Sequence, residues 1–228
     1  VTIQHLILFD IDGTLLKTQG AGRIATKASM LEVFGTASTL DTHHFGGKTD
    51  FYTLLELLTP HGISYDTVRS NMDAFVEAMG RNMAESIQQY PAHPLPGALE
   101  AIDYLGGRED VMLGLVTGNA PTSACLKLES AGFDPDWFAV GAYGSEAVNR
   151  DDLPALALKR AIQYAGHHIS PQQAIIIGDT ALDVQAARAN NMGVIGVRCG
   201  FEQGSALLDA NPDALIDDLS SLFDVLNV

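Results

Sequence analysis

Three short stretches of this chain carry side chains that could do chemistry together: Asp10-Ile11-Asp12-Gly13-Thr14, Thr117-Gly118-Asn119, and Gly178-Asp179-Thr180 with Asp183 close behind. The first follows the apolar run 6–9, which reads as a strand buried on both faces. Residues two apart on a strand point the same way, so Asp10 and Asp12 share a face. Two ionised carboxylates about 5 Å apart repel by roughly 3 kcal/mol at an effective dielectric of about 20. Either one holds a proton or a cation lies between them, and a hard, oxygen-seeking ion such as Mg²⁺ is the economical answer. Taken alone, an Asp-x-Asp-Gly stretch is equally an ordinary polar turn. Thr117-Gly118-Asn119 ends a second apolar run and opens a helical stretch, where a hydroxyl and backbone N–H groups can seat an anion or merely cap the helix. Asp179 follows a third apolar run, and Asp183 shares its face if a helix has begun there.

The elements that must position these residues alternate. From Gly97 onward the pattern gives helices at 98–105, 121–131, 153–165, 182–190 and 219–226, with strands at 111–116, 138–142, 174–177, 194–197 and 214–216. Such alternation implies a parallel sheet with helices on both faces, and ligands in such sheets bind beyond the carboxyl ends of the strands. All three stretches fall at those ends. Between residues 20 and 90 no strand pattern occurs. Ile24, Ala28 and Leu31 mark the apolar face of one helix, Thr49 caps a second, and Ser64 opens a long third running to Ile87. Three prolines at 91, 94 and 96 stiffen the return. The expected organisation is a doubly wound, Rossmann-like α/β core (1–16 and 95–228) with an inserted all-helical cap (17–94).

Taken in order, the three motifs resemble the haloacid dehalogenase-like superfamily, and within it the phosphatases similar to phosphoglycolate phosphatase. The likeness covers essentially the whole chain. It implies that Asp10 is a nucleophile forming an aspartyl-phosphate and that Asp12 is the acid and base serving the leaving group and the water. Dehalogenases of the superfamily carry a non-acidic residue at the position of Asp12, so an Asp there favours phosphoryl transfer. The resemblance gives Thr117, Gly118 and Asn119 the phosphoryl oxygens. It gives Mg²⁺ to Asp10, the Asp12 carbonyl and Asp179, with Asp183 as a ligand or one water removed. The superfamily usually has a Lys before the helix preceding the last acidic motif. Here Arg150 is the best match and Lys159 fits less well; a solvated Arg150 paired with Asp151 or Asp152 is the alternative. Lys48, in the glycine-flexed loop 46–50, is a candidate contact to an anionic leaving group, or simply an exposed Lys at a helix start.

Composition bounds the rest. The chain has 228 residues, 46% hydrophobic, with a net charge of −15. That charge argues against nucleic acid or an anionic membrane as partner. A phosphate site must therefore gather its positive potential locally. Two cysteines, Cys125 and Cys199, are too few for a disulfide framework and suit a reducing cytosol. No stretch reaches the length of a membrane span, and the first ten residues lack the marks of a signal peptide. The expectation is a cytoplasmic, Mg²⁺-dependent phosphatase, monomer or homodimer, acting on a small phosphorylated metabolite. A phosphomutase of the β-phosphoglucomutase type is the alternative enzyme. A non-catalytic phospho-signalling module is the alternative class.

Overall fold

The computed structural model describes residues 2–200 and 205–226. Strand β1 (His5–Phe9) leads to a short strand β2 (Leu16–Thr18) and four helices: α1 (Ala21–Phe34), α2 (Asp50–Leu58), α3 (Tyr65–Ser70) and α4 (Met72–Gln89). Strand β3 (Ala92–Pro94) closes that insertion. The alternating part runs α5 (Ala98–Gly106), β4 (Val111–Thr117), α6 (Pro121–Ser130), β5 (Val140–Tyr143), α7 (Leu153–Ala165) and β6 (Ala174–Gly178). It ends with α8 (Ala181–Ala189), β7 (Gly193–Val197), α9 (Ala206–Asp209), β8 (Ala214–Ile216) and α10 (Leu222–Val225).

Six strands form one sheet in the order β5-β4-β1-β6-β7-β8, with every pairing parallel. The alternation of side chains along β1 explains why both faces are covered. Leu6 and Leu8 enter a core with Met112, Val116 and Ile176, while Ile7 and Phe9 enter another with Leu113, Leu115 and Ile177. Each such Leu or Phe contributes about 1.5–3 kcal/mol by leaving water. Because β1 lies between β4 and β6, the carboxyl ends that carry Asp10, Thr117 and Asp179 converge at the centre of the sheet.

The helical insertion has a core of its own, in which Met30, Leu54, Phe75 and Met83 are fully buried. Thr49 caps α2 by accepting from the Tyr52 N–H, and Ser64 caps α3 in the same way from Thr67. Three details differ from the sequence pattern. The long third helix is two, broken at Asn71, whose side-chain amide donates back to the Thr67 carbonyl. The buried face of α1 is Ala21, Ala25, Ser29 and Met30, and Ile24 and Leu31 are exposed. Small residues line that face because α4 packs closely along it. The two crossings between core and insertion, β2 and β3, pair antiparallel as a short ribbon. The backbone bonds of that ribbon, and not proline stiffness alone, hold the crossings together.

Candidate active site

Asp10 continues β1 by one residue: its N–H donates to the Ile177 carbonyl at 2.9 Å, as a further rung toward β6. The chain then turns at Gly13, whose φ of +91° is the left-handed region that glycine enters freely. A side chain at 13 would also collide with the Asp179 carboxylate. The turn thus brings the first acidic stretch against the last one. Thr14 Oγ1 lies 3.5 Å from Asp179 Oδ1. Carboxylate oxygens of Asp10, Asp179 and Asp183, all buried, lie within 4.8 Å of one another.

Arg150 crosses this cluster. Its Nη2 sits 2.9 Å from Asp10 Oδ1, and its Nε and Nη2 donate to Asp183 Oδ1 at 3.0 and 2.5 Å. Its Nη1 donates to the Gly47 carbonyl at 3.0 Å, so one guanidinium joins the core to the insertion's loop. It is 5% exposed and makes no pairing with Asp151 or Asp152. The other oxygen of Asp183 accepts from the N–H and hydroxyl of Thr180 in a reciprocal cap at the start of α8. Both oxygens of Asp183 are therefore committed to the protein, which suits it to hold Arg150 and α8 beside a cation more than to bind one directly. Burial pushes the Asp10 carboxyl up to about 7; Arg150 opposes the rise and Asp183 adds to it. A cation among these acids would favour their charged forms. The buried carboxylates of Asp10 and Asp179, with Asp183 behind them, are the oxygen chemistry of a site for a hard divalent ion such as Mg²⁺.

Asp12 faces a different set of partners. Its Oδ2 accepts from Asn119 Nδ2 at 2.7 Å and from Lys127 Nζ at 2.6 Å. Asn119 also donates to Thr117 Oγ1, at 2.8 Å from Nδ2 and 3.3 Å from its backbone N–H. Asn119 thus works through its side chain as well as its backbone. The start of α6 is less open to an anion than its position suggests, because the Ala120 N–H is taken by the Asp50 carboxylate at 2.7 Å. The Thr117 hydroxyl has no acceptor among the described residues and keeps its hydrogen available.

A cavity of about 570 Å³ lies between core and insertion. Asp10, Asp12, Thr117, Gly118, Asn119, Lys127 and Arg150 wall it from the core, and Arg23, His44, Phe45, Lys48 and Asp50 from the insertion. Loop 46–50 sits directly on the second motif. The Asp50 N–H donates to the Gly118 carbonyl at 2.8 Å, and Thr49 Oγ1 to Val148 at 2.8 Å. A Cβ on Gly118 would strike the Lys48 carbonyl, so only glycine lets the two backbones meet. The Lys48 ammonium is turned to Glu56, 2.6 Å away. Arg23 donates to the His43 and Leu40 carbonyls and lies 4.8 Å over the Phe45 ring.

Lys127 and Asp50 are site residues that the motif reading passed over. Asp50 had no motif to mark it. Lys127 did leave a trace, since Ala124, Lys127, Leu128 and Ala131 repeat at the spacing of a buried helical stripe. A lysine on such a stripe needs a partner.

Residues 7–197 match the profile of the haloacid dehalogenase-like hydrolases, and the chain belongs to that family. It is an enzyme, a hydrolase of the phosphatase kind. Among curated relatives, the phosphoglycolate phosphatase of Pseudomonas putida is 27% identical over 97% of this chain and 79% of its own length. That of Vibrio vulnificus is 24% identical over 98% and 96%. The crystal structure of a hydrolase from Pseudomonas syringae superposes with a TM-score of 0.71 over 97% of each chain at 20% identity, which speaks for the fold.

Proposed function

We propose that this enzyme is a Mg²⁺-dependent phosphatase that hydrolyses a small phosphate monoester through a phosphorylated Asp10. The observation that supports the reading most is the meeting of four functions at one cavity. A buried carboxylate on β1, a second acid two residues on, a hydroxyl at the end of β4 and a buried guanidinium share its walls, with Asp179 beside the first. The insertion would act as a cap that excludes water from that cavity.

In this mechanism the Asp10 carboxylate attacks phosphorus and the bond to the ester oxygen breaks. Asp12 gives its proton to the departing oxygen. It then takes a proton from a water whose oxygen attacks phosphorus, and the bond to Asp10 breaks to release orthophosphate. Arg150 and the Thr117 hydroxyl hold phosphoryl oxygens as charge redistributes. Asp10, Asp179 and the Asp12 carbonyl would hold Mg²⁺, with Asp183 braced behind them; bound there, the ion would offset the negative charge of nucleophile and phosphoryl group.

The relatives' names suggest 2-phosphoglycolate as the substrate. The cationic groups that the insertion brings to the cavity, Arg23 and Lys48, suit a leaving group that carries a carboxylate. Two partly buried free thiols, Cys125 and Cys199, suit a reducing cytoplasm.

The test is Mg²⁺-dependent phosphate release from p-nitrophenyl phosphate and from a panel of phosphorylated metabolites that includes 2-phosphoglycolate. Asp10→Asn should keep the fold and lose all turnover, because the uncatalysed reaction is extremely slow. Wild-type-like release by that variant would refute the nucleophile. Isomerisation of a hexose phosphate without release of phosphate would point to a mutase.

A further inference from the structure

Among the described residues, the lysine on α6 is the one buried cation at this cavity for which neither the motifs nor the mechanism above has a use. Its side chain is 5% exposed. Taking an ammonium out of water costs several kcal/mol unless it is paired and hydrogen-bonded, so its partners define its purpose. Those partners are two: Asp12 Oδ2 and Asn119 Oδ1, each at 2.6 Å. Asn119 closes the triangle by donating to the same Asp12 oxygen at 2.7 Å. Both donors to Asp12 among the described residues therefore land on Oδ2. Oδ1 has no partner among the described residues, and the Asp12 side chain stays 25% exposed, toward the cavity.

We infer that Lys127 is a positioning residue for Asp12: with Asn119 it pins Oδ2 and so presents Oδ1 to the leaving group. The inference rests on the phosphatase reading. A carboxylate with two donors on one oxygen resists the flip that would exchange its oxygens, and the free oxygen is the one that exchanges a proton. In the first half-reaction the P–O bond breaks toward the ester oxygen, which takes the proton from Oδ1. In the second, Oδ1 takes a proton from the attacking water. Asn119 is anchored in turn to Thr117, so the residue that seats the phosphoryl group and the residue that protonates the leaving group share one frame. Lys127 touches neither substrate nor phosphorus in this arrangement and acts through Asp12.

A merely structural lysine and a positioning one differ in what their loss does to different leaving groups. A 2,4-dinitrophenolate leaves without help, whereas an alkoxide needs its proton, and proton transfer of this kind is worth about 10²–10⁴-fold. Lys127→Met should therefore lower kcat/KM by about 10²-fold or more for the alkyl phosphate that the wild type turns over best. For 2,4-dinitrophenyl phosphate the loss should stay within about fivefold. In an Asp12→Asn background the same substitution should add nothing to the difference between the two esters. If Lys127→Met proves too unstable to assay, Lys127→Gln keeps a donor without the charge and should show a smaller difference of the same sign. Equal losses on both esters, in an enzyme whose wild type is active, would overturn the positioning role and leave the phosphatase reading standing. A wild type that releases phosphate from neither ester would overturn both.

Discussion

Arg150 does at one position what would otherwise take several residues. It is buried beside two carboxylates, and although burial alone would lower its proton affinity, Asp183 and Asp10 raise it. Its fork geometry lets a single planar group serve Asp10, Asp183 and the Gly47 carbonyl at once, which a point-charged ammonium could not do. Removing it leaves two buried acids without their cation. Arg150→Met should therefore cost about 3–5 kcal/mol of stability in urea unfolding without added metal. Part of that loss should return with Mg²⁺, because a cation among the same acids replaces the missing charge. Arg150→Lys should keep more of the stability yet lose the tie to Gly47. The acids and Arg150 were legible because their chemistry is written in residue type and spacing, each just past an apolar run. Lys127 was legible only as a lysine on a buried stripe; its role was not, because only the turn at Gly13 and the side chain of Asn119 give it a partner.

At the scale of elements, parallel alternation was plain in the sequence and the helix faces were not. A helix that packs closely against another uses Ala and Ser, and its larger apolar residues can then lie outside, as Ile24 and Leu31 do on α1. The break at Asn71 comes from a side chain competing for backbone groups, which periodicity does not register. The joint between α2 and α6 was equally hidden. Asp50 stands in the first turn of α2, and its carboxylate accepts from the Ala120 N–H just before α6. Burial pushes that carboxyl up to about 6 from an ordinary 3.8, against Lys127 and the Ala120 hydrogen bond, which hold it down. Folding thus takes up a proton here between about pH 4 and 6. The stability this group contributes is full below its ordinary value and is lost as pH rises through about 6. Asn at 50 keeps an acceptor for Ala120 and removes the titration. Asp50→Asn should therefore flatten the stability–pH profile across that window by up to one proton. Urea unfolding at a series of pH values reads the slope directly, and an unchanged slope would mean that Asp50 titrates as an ordinary surface acid.

For the molecule as a whole the governing quantity is charge. A chain of net charge −15, with 13 Lys and Arg, sets Arg23, Lys48, Lys127 and Arg150 around one cavity and yet keeps three carboxylates buried together, of which Asp10 faces that cavity. No helix among the described residues is long and apolar enough to cross a membrane. An ion that binds the folded cluster and not the unfolded chain stabilises the fold by mass action, by about 2.7 kcal/mol at a hundred times its dissociation constant. For a domain of this size each kcal/mol moves Tm by about 2–4 °C, so saturating Mg²⁺ should raise Tm by about 5–10 °C. Sodium chloride at matched ionic strength should do much less, since screening of surface acids is not specific to the site. Asp179→Asn should abolish the increment, because it takes a charged oxygen ligand out of the buried acid cluster. Lys127→Met should keep it, because Lys127 pairs with Asp12 and not with the three clustered acids. A shift that survives in Asp179→Asn would place the ion among the many exposed acids and away from the cavity.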